Sequence, residues 1–157
     1  AGFRAERYVR VLPLVAARRM AIQRGGAGMR FGDAVTVYNG TEQDFKRVLR
    51  PHVLSGVHAE AAMGEASAAD GDKNEDGLLV IIPFNGHSNG FLTPPEYGRA
   101  EDKSTAWTLA CGDIITLGDT GAAESYAELS ARTRAYRITQ VKALPFGSIP
   151  HWEVQAK

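Results

Sequence analysis

Four histidines, one cysteine and a scatter of acids are the residues that could do chemistry in this chain of 157. His52 and His58 stand six apart, with Glu60 two further on. Along a strand, even separations put side chains on one face, so His58 and Glu60 become neighbours if that stretch is extended. A metal site would need a third and a fourth ligand, and none follows close in sequence. His87 falls among glycine and asparagine, and His151 just precedes an apolar stretch. Both positions suit surface or turn histidines. Residues 70–77, DGDKNEDG, invite a calcium test. With Asp72 at the first ligand position, Asn74, Asp76 and Gly77 fit the first half of an EF-hand loop. The twelfth position should be a bidentate glutamate, and it is Pro83. The stretch reads instead as a solvated acidic loop.

Nucleophile chemistry finds no more support. There is no Gly-x-Ser-x-Gly elbow and no Gly-x-x-x-x-Gly-Lys-Ser/Thr phosphate loop. Cys111 lies beside Leu109 and Ile114, a setting that predicts a buried structural thiol. Asp113 follows Gly112 and reads as a turn residue that bonds nearby amides. Asp113 and Glu153 could be cast as an acid–base pair, but nothing in the sequence brings them together. The expectation is no catalytic residue, no cofactor-binding residue and no metal ligand. Trp107 and Trp152 read as core, since aromatics supply the largest apolar burial per residue. Use at an interface is the competing reading.

The elements that would position these residues are mostly strands. Residues 34–38 alternate and are β-branched, and Asn39-Gly40 after them is a turn dipeptide. Residues 45–62 carry apolar side chains in loose alternation, interrupted by Pro51, which suggests an edge, a bulge or a bend. Residues 63–77 read as a long acidic loop. Leu78-Leu79-Val80-Ile81-Ile82, stopped by Pro83, reads as a strand buried on both faces. A short extended piece at Phe91-Leu92 meets Pro94-Pro95. Two strands, 107–109 and 114–118, flank a Gly-Asp turn. Residues 122–132, AAESYAELSAR, form the one good helix candidate, with Tyr126 and Leu129 on one face. Residues 135–141 and 152–154 complete the set. About seven strands with Gly/Pro punctuation predict a mostly-β domain, a barrel or sandwich, with one helix near 122–132.

Composition divides the chain in two. Residues 1–30 hold seven arginines and a single acid, Glu6, and end in Gly25-Gly26-Ala27-Gly28. They fit a disordered or loosely attached arm, and equally a non-native extension ahead of a start at Met29. A functional basic arm is a third reading, and the lack of a long apolar run argues against a secretory signal. Setting aside those residues leaves 11 basic against 17 acidic in 31–157, a net charge of −6. An acidic body is ill suited to hold nucleic acid, which requires positive charge to displace counterions. No run of apolar residues is long enough for a transmembrane helix.

The strand pieces also have an order. Val35-Thr36-Val37-Tyr38-Asn39 opens the body, and Ile81-Ile82-Pro83 follows a variable loop. Then come Trp107-Thr108-Leu109-x-x-Gly112-Asp113-Ile114-Ile115-x-x-Gly118, Ile138-Thr139-x-Val141, Gly147-Ser148 and His151-Trp152-Glu153-Val154. Over residues 34–157 this order resembles a family of small proteins of tailed phages and prophages, encoded in the head–tail connector and minor capsid gene module. The resemblance implies a virion structural protein made in the host cytoplasm, of the head-completion, stopper, tail-terminator or minor capsid type. It further implies a β-barrel with long loops, homo-oligomeric rings on the portal axis, and portal, adaptor and tail proteins as partners. It carries no catalytic residue, no cofactor and no membrane contact. Acidic side chains at Asp70, Asp72, Glu75 and Asp76, facing a channel, would let DNA slide past. The alternative is a small-ligand-binding β-barrel in which Trp107, Trp152 and Tyr136 line a pocket.

Overall fold

β-Branched residues in alternation favour an extended backbone with a different neighbour on each face, and the chain meets that demand by closing a sheet on itself. The computed structural model describes residues 31–63, 65–68, 71–74 and 76–157, with no account of side chains over 64–75. The basic segment 1–30, with the Met29 start, lies outside the described residues, as do Asp70 and Glu75. In chain order the elements are β1 (Asp33–Gln43), β2 (Lys46–Ala62), β3 (Glu65–Ala68), β4 (Gly71–Asn74), β5 (Gly77–Pro83), α1 (Pro94–Arg99), β6 (Ile114–Leu117), α2 (Tyr126–Arg132), β7 (Ala135–Leu144) and β8 (His151–Ala156). Six strands pair antiparallel in the order β1-β2-β5-β8-β7-β6, and β6 returns to β1 through Val35–Leu117 to Tyr38–Ile114, closing a barrel. The mostly-β class legible in the sequence is the class observed.

The inside of the ring is filled by side chains. Val35, Val37, Val80, Ile82, Ile115, Tyr136, Trp152 and Val154 pack there, with Trp107 among them. Trp107 does not come from a barrel strand. It sits in the long connection from β5 to β6, and a single bridge to Phe91 pins its backbone. Its amide donates to Gly90 O and its carbonyl accepts from Leu92 N, each at 2.9 Å. Its indole meets Trp152 edge-on with centroids 5.6 Å apart, and Phe91 at 5.0 Å. Both tryptophans are therefore core, as the sequence implied.

Even-numbered residues of β1 face outward, yet Tyr38 is fully buried. The reason is α2. Ser125 caps this helix by accepting from the Glu128 amide, and Leu129 comes down on Tyr38, Leu49 and Ile114. Burying that leucine contributes about 1.5–3 kcal/mol. The Tyr38 hydroxyl donates to Gly121 O at 2.5 Å and accepts from Thr120 at 2.6 Å, tying the segment before α2 to the barrel. Tyr126, read onto the Leu129 face, is half exposed instead and lies under the Arg137 guanidinium, 4.8 Å from its ring.

Four local readings change. Asn39-Gly40 is not the turn: β1 runs on to Gln43, and Asp44-Phe45 forms the two-residue loop with φ of 53° and 61°. The sequence misleads here because Asn39 turns its amide into a buried polar contact and Gly40 makes room for the Arg47 guanidinium. Residues 107–109 are not a strand, since only the Trp107 bridge joins them to Phe91. A helix forms at Pro94–Arg99, where Thr93 and Glu96 make a reciprocal capping box and Pro94 opens the first turn. The acidic connection 63–77 contains its own two-stranded sheet, β3 with β4. Pro51 behaves as expected: it pairs with Tyr38 of β1, in a half of β2 that has no partner among the described residues on the other side until His58 meets Ile81.

Replacing Trp107 with alanine empties the centre of the barrel, and it should cost about 3–5 kcal/mol. Urea unfolding of Trp107→Ala checks this. A loss below about 1 kcal/mol would mean that the barrel packs without its plug.

Candidate functional site

The polar residues that the fold does bring together are ones that read as turn or core in the sequence. At its centre is Asp113, which is 5% exposed. Its Oδ2 accepts from the Asn39 amide at 3.0 Å, and its Oδ1 accepts from the Gly40 N–H at 3.1 Å. The Arg47 guanidinium lies 3.5 Å from the same Oδ1. Asn39 uses its remaining groups on Thr108, donating to its carbonyl at 2.7 Å and accepting from its amide at 3.1 Å. Asp113 therefore serves β1 across the barrel wall rather than amides of its own turn, which corrects the sequence reading. Burial pushes its carboxyl above the ordinary aspartate value. The bonds from Asn39 and Gly40, and then the Arg47 charge, pull the other way.

Beside this knot a cleft of about 360 Å³ opens between β1 and α1. Gly40, Thr41 and Glu42 form one wall, Pro94, Tyr97 and Gly98 another, and Lys103, Thr108, Ala110 and Asp113 complete it. Tyr97 and Thr108 are 4% and 2% exposed. Among the described residues neither hydroxyl has a hydrogen-bond partner, and neither does Nε of Arg50 on the adjoining strand. Burial pushes the Tyr97 phenol upward, with Arg50 opposing and Asp113 reinforcing the shift. The Lys103 ammonium donates to Ala100 O and lies 5.3 Å from the centre of the Tyr97 ring. Burying a hydroxyl unpaired costs about 1–3 kcal/mol, and these two lie beneath the cleft surface with that cost not offset by the described residues. The sequence carried one usable sign of this: the Thr93–Glu96 spacing that starts α1.

The histidines go to separate duties. His58 and Glu60 are neighbours on β2 as the spacing implied, 3.1 Å apart. His52 stacks flat on Trp107 at 5.0 Å. Burial holds its imidazole below the ordinary range, and the nearby His87 adds repulsion. His87 sits in a turn but is buried, contrary to the surface reading. Its ring nitrogens lie 2.8 Å from Pro83 O and 2.6 Å from Ser55 O, bracing β5 against β2. His151 contacts Ile149 O at 2.7 Å. Cys111 is exposed rather than buried, because it starts the turn before β6; its Sγ points at Thr139 O, 3.4 Å away. Glu153 faces Lys142 on β7 at 3.8 Å, while Asp113 is held by β1. Asp76, a candidate calcium ligand, pairs with Arg134 at 2.7 Å. Among the described residues no three His, Cys, Asp or Glu side chains gather as a metal set. Tyr136, Trp107 and Trp152, the residues that would line an internal pocket, pack against the rest of the barrel core.

Residues 31–157 match the model of a family described as a family of unknown function, DUF6751, and the chain belongs to it. No curated protein and no solved structure matches the chain.

Two outcomes follow from the knot. Asn39→Ala leaves a buried carboxylate and the Thr108 backbone short of partners, and it should cost about 2–4 kcal/mol in denaturant unfolding. Asp113 ionises at a higher pH in the folded chain than in the unfolded one. Its contribution to stability is complete below the ordinary aspartate value and is lost as pH rises through the raised folded value. Measured against Asp113→Asn, so that other groups cancel, the wild-type protein should gain stability as pH falls from about 7 toward about 4. A pH-independent difference would contradict the burial argument.

Proposed function

We propose that this member of the DUF6751 family is a structural subunit of a tailed-phage or prophage virion at the head–tail junction. It would act as a head-completion, stopper, tail-terminator or minor capsid protein, assembled as a ring and without a catalytic role. The phage assignment rests on the order of strand, tryptophan and glycine landmarks across residues 34–157. The assembly part rests on one observation above all: Phe45. This side chain is fully exposed at the tip of the β1–β2 hairpin, with its backbone in the left-handed region. A phenylalanine there carries about 1–3 kcal/mol of backbone strain, and in an isolated subunit it gains nothing from burial in return.

Strand direction supports the same reading. β2 leaves the hairpin tip and β5 runs antiparallel to it, so β5 ends on the side facing that tip, although it pairs with the far half of β2, from Ala62 back to His58. β8 begins opposite Pro83 at the end of β5, and Leu144 at the end of β7 pairs with His151. The β7–β8 connection therefore opens at the same end of the barrel, and it carries Phe146, also exposed. The β3–β4 arm, inserted between the end of β2 and the start of β5, projects from the opposite end. Different surfaces at the two ends suit heterologous contacts, which close into rings when the rotation fits.

Phe45→Gly separates assembly from folding. Glycine relieves the left-handed backbone, so the variant's melting temperature should stay the same or rise. Light scattering should find the wild-type chain as an oligomer of several copies and Phe45→Gly as a monomer. A phage lacking the gene should accumulate unjoined heads and tails under the electron microscope. A wild-type protein that stays monomeric at high concentration, together with normal particles from the deletion phage, would refute the proposal.

A further inference from the structure

The surroundings of His87 ask for more than a neutral imidazole can give. Its Nδ1 lies 2.8 Å from Pro83 O and its Nε2 lies 2.6 Å from Ser55 O. A carbonyl oxygen only accepts, while a neutral imidazole has one N–H and one bare lone pair. In either neutral tautomer one of the two contacts therefore sets lone pair against lone pair. Turning the ring over gives no escape, since it puts ring carbons where the nitrogens were. The doubly protonated ring donates to both carbonyls. The residue is 9% exposed, so water is poorly placed to relieve a mismatch.

This contact stands where two strands part. β2 and β5 pair from His58–Ile81 to Ala62–Gly77. Ahead of that ladder Gly56 takes left-handed backbone, with φ of 73°, and Ser55 pairs with Ala34 of β1. The His87 ring spans the resulting gap, taking one carbonyl from each strand. The segment that carries it also seats the barrel's plug. Phe84 and Phe91 each lie 4.4 Å from Trp152 between ring centres, and Phe91 is bridged to Trp107.

From this we propose that His87 is an imidazolium in the folded protein and that its proton works a clasp: losing it opens the corner between β2 and β5 and loosens the seat of Trp107. Residues 77–92 contain no other titratable side chain. β2 brings His52 toward the ring, and burial, with His87 adding repulsion, holds that imidazole below the ordinary range. A His52 that stays neutral leaves one positive charge at the corner rather than two. Farther along β2, His58 pairs with Glu60. β8 brings His151 opposite Pro83, with its Nδ1 2.7 Å from Ile149 O. Among the described residues no carboxylate bonds His87, so its charge rests on the two carbonyls, as charge-assisted hydrogen bonds. The clasp is complete below the ordinary histidine value, about 6.5, and its contribution to stability is lost as pH rises above it. The clasp belongs to the folded subunit and does not depend on the virion reading.

The test uses the full wild-type chain labelled with nitrogen-15, with His87→Gln as the reference. At about pH 7 a free histidine is mostly neutral, yet nuclear magnetic resonance should find protons on both ring nitrogens of His87. As one of them is lost at higher pH, the backbone resonances of Ser55, Phe91 and Trp107 should move with it. Glutamine can donate to one carbonyl and does not titrate. Relative to His87→Gln, the wild-type unfolding constant in urea should rise about tenfold from about pH 6 to about pH 9, the scale of one hydrogen bond to a charged group. His52 is present in both proteins, so its own titration largely cancels. A His87 ring that carries a single proton at about pH 7 in the folded chain would overturn the proposal. So would a ring that loses its proton while the resonances of Ser55, Phe91 and Trp107 stay in place. Both of these outcomes are read on the wild-type protein, whether or not His87→Gln folds.

Discussion

Six strands can close a ring only if the space they enclose is filled, and in this protein the filling is supplied in part from outside the ring. Barrel strands contribute valine, isoleucine, Tyr136 and Trp152, but the centre belongs to Trp107, carried in on a connection. Its position depends on the bridge to Phe91 and on the main-chain bonds of Gly90 and Leu92. Everything near it inherits that placement. His52 stacks on its face, and Thr108, the next residue, is thereby delivered to Asn39. The interior packing and the polar knot are two sides of one short segment, so the knot and the cleft beside it share the rigidity of the core.

How much of this the sequence announces depends on how local the cause is. The mostly-β class, the Leu78–Ile82 strand, the helix ending at Arg132 and the burial of both tryptophans were legible, because each follows from periodicity or from side-chain size within a few residues. The turn was misplaced at Asn39-Gly40 because a dipeptide that favours turns was in use for something else: its amide satisfies Asp113 and Thr108, some seventy residues away. The true turn, Asp44-Phe45, has a residue that left-handed backbone disfavours. Of the cleft, only the start of one wall was legible, through the Thr93–Glu96 spacing that opens α1. Its walls come from β1, α1 and the loop before β6, and only tertiary packing brings Tyr97 and Thr108 to one place.

Polar satisfaction is unevenly distributed across the surface of the barrel. Where α2 covers it, each hydroxyl is used: Tyr38, Thr36, Thr116 and Thr120 form a connected chain of short bonds. Where α1 covers it, Tyr97 on the helix and Thr108 beneath it have no hydroxyl partner among the described residues. Two helices of similar length, laid on the same barrel, thus cover one face with its hydroxyls paired and another with two hydroxyls unpaired among the described residues. The difference lies in whether the preceding loop turns back to supply partners, as the segment at Thr120 and Gly121 does.

The strand order has a consequence for how the protein comes into being. β8, which follows the five other barrel strands in sequence, lies between β5 and β7. Until β8 has left the ribosome, β5 keeps a bare flank, and β7, although it can pair with β6, has nothing to join it to the far side. The ring cannot be completed piece by piece during translation; its last stave is also the last synthesised. Nascent chains of this protein therefore present open sheet to their surroundings until β8 emerges, and closing that gap is a single event of long sequence separation, the kind that sets slow folding rates.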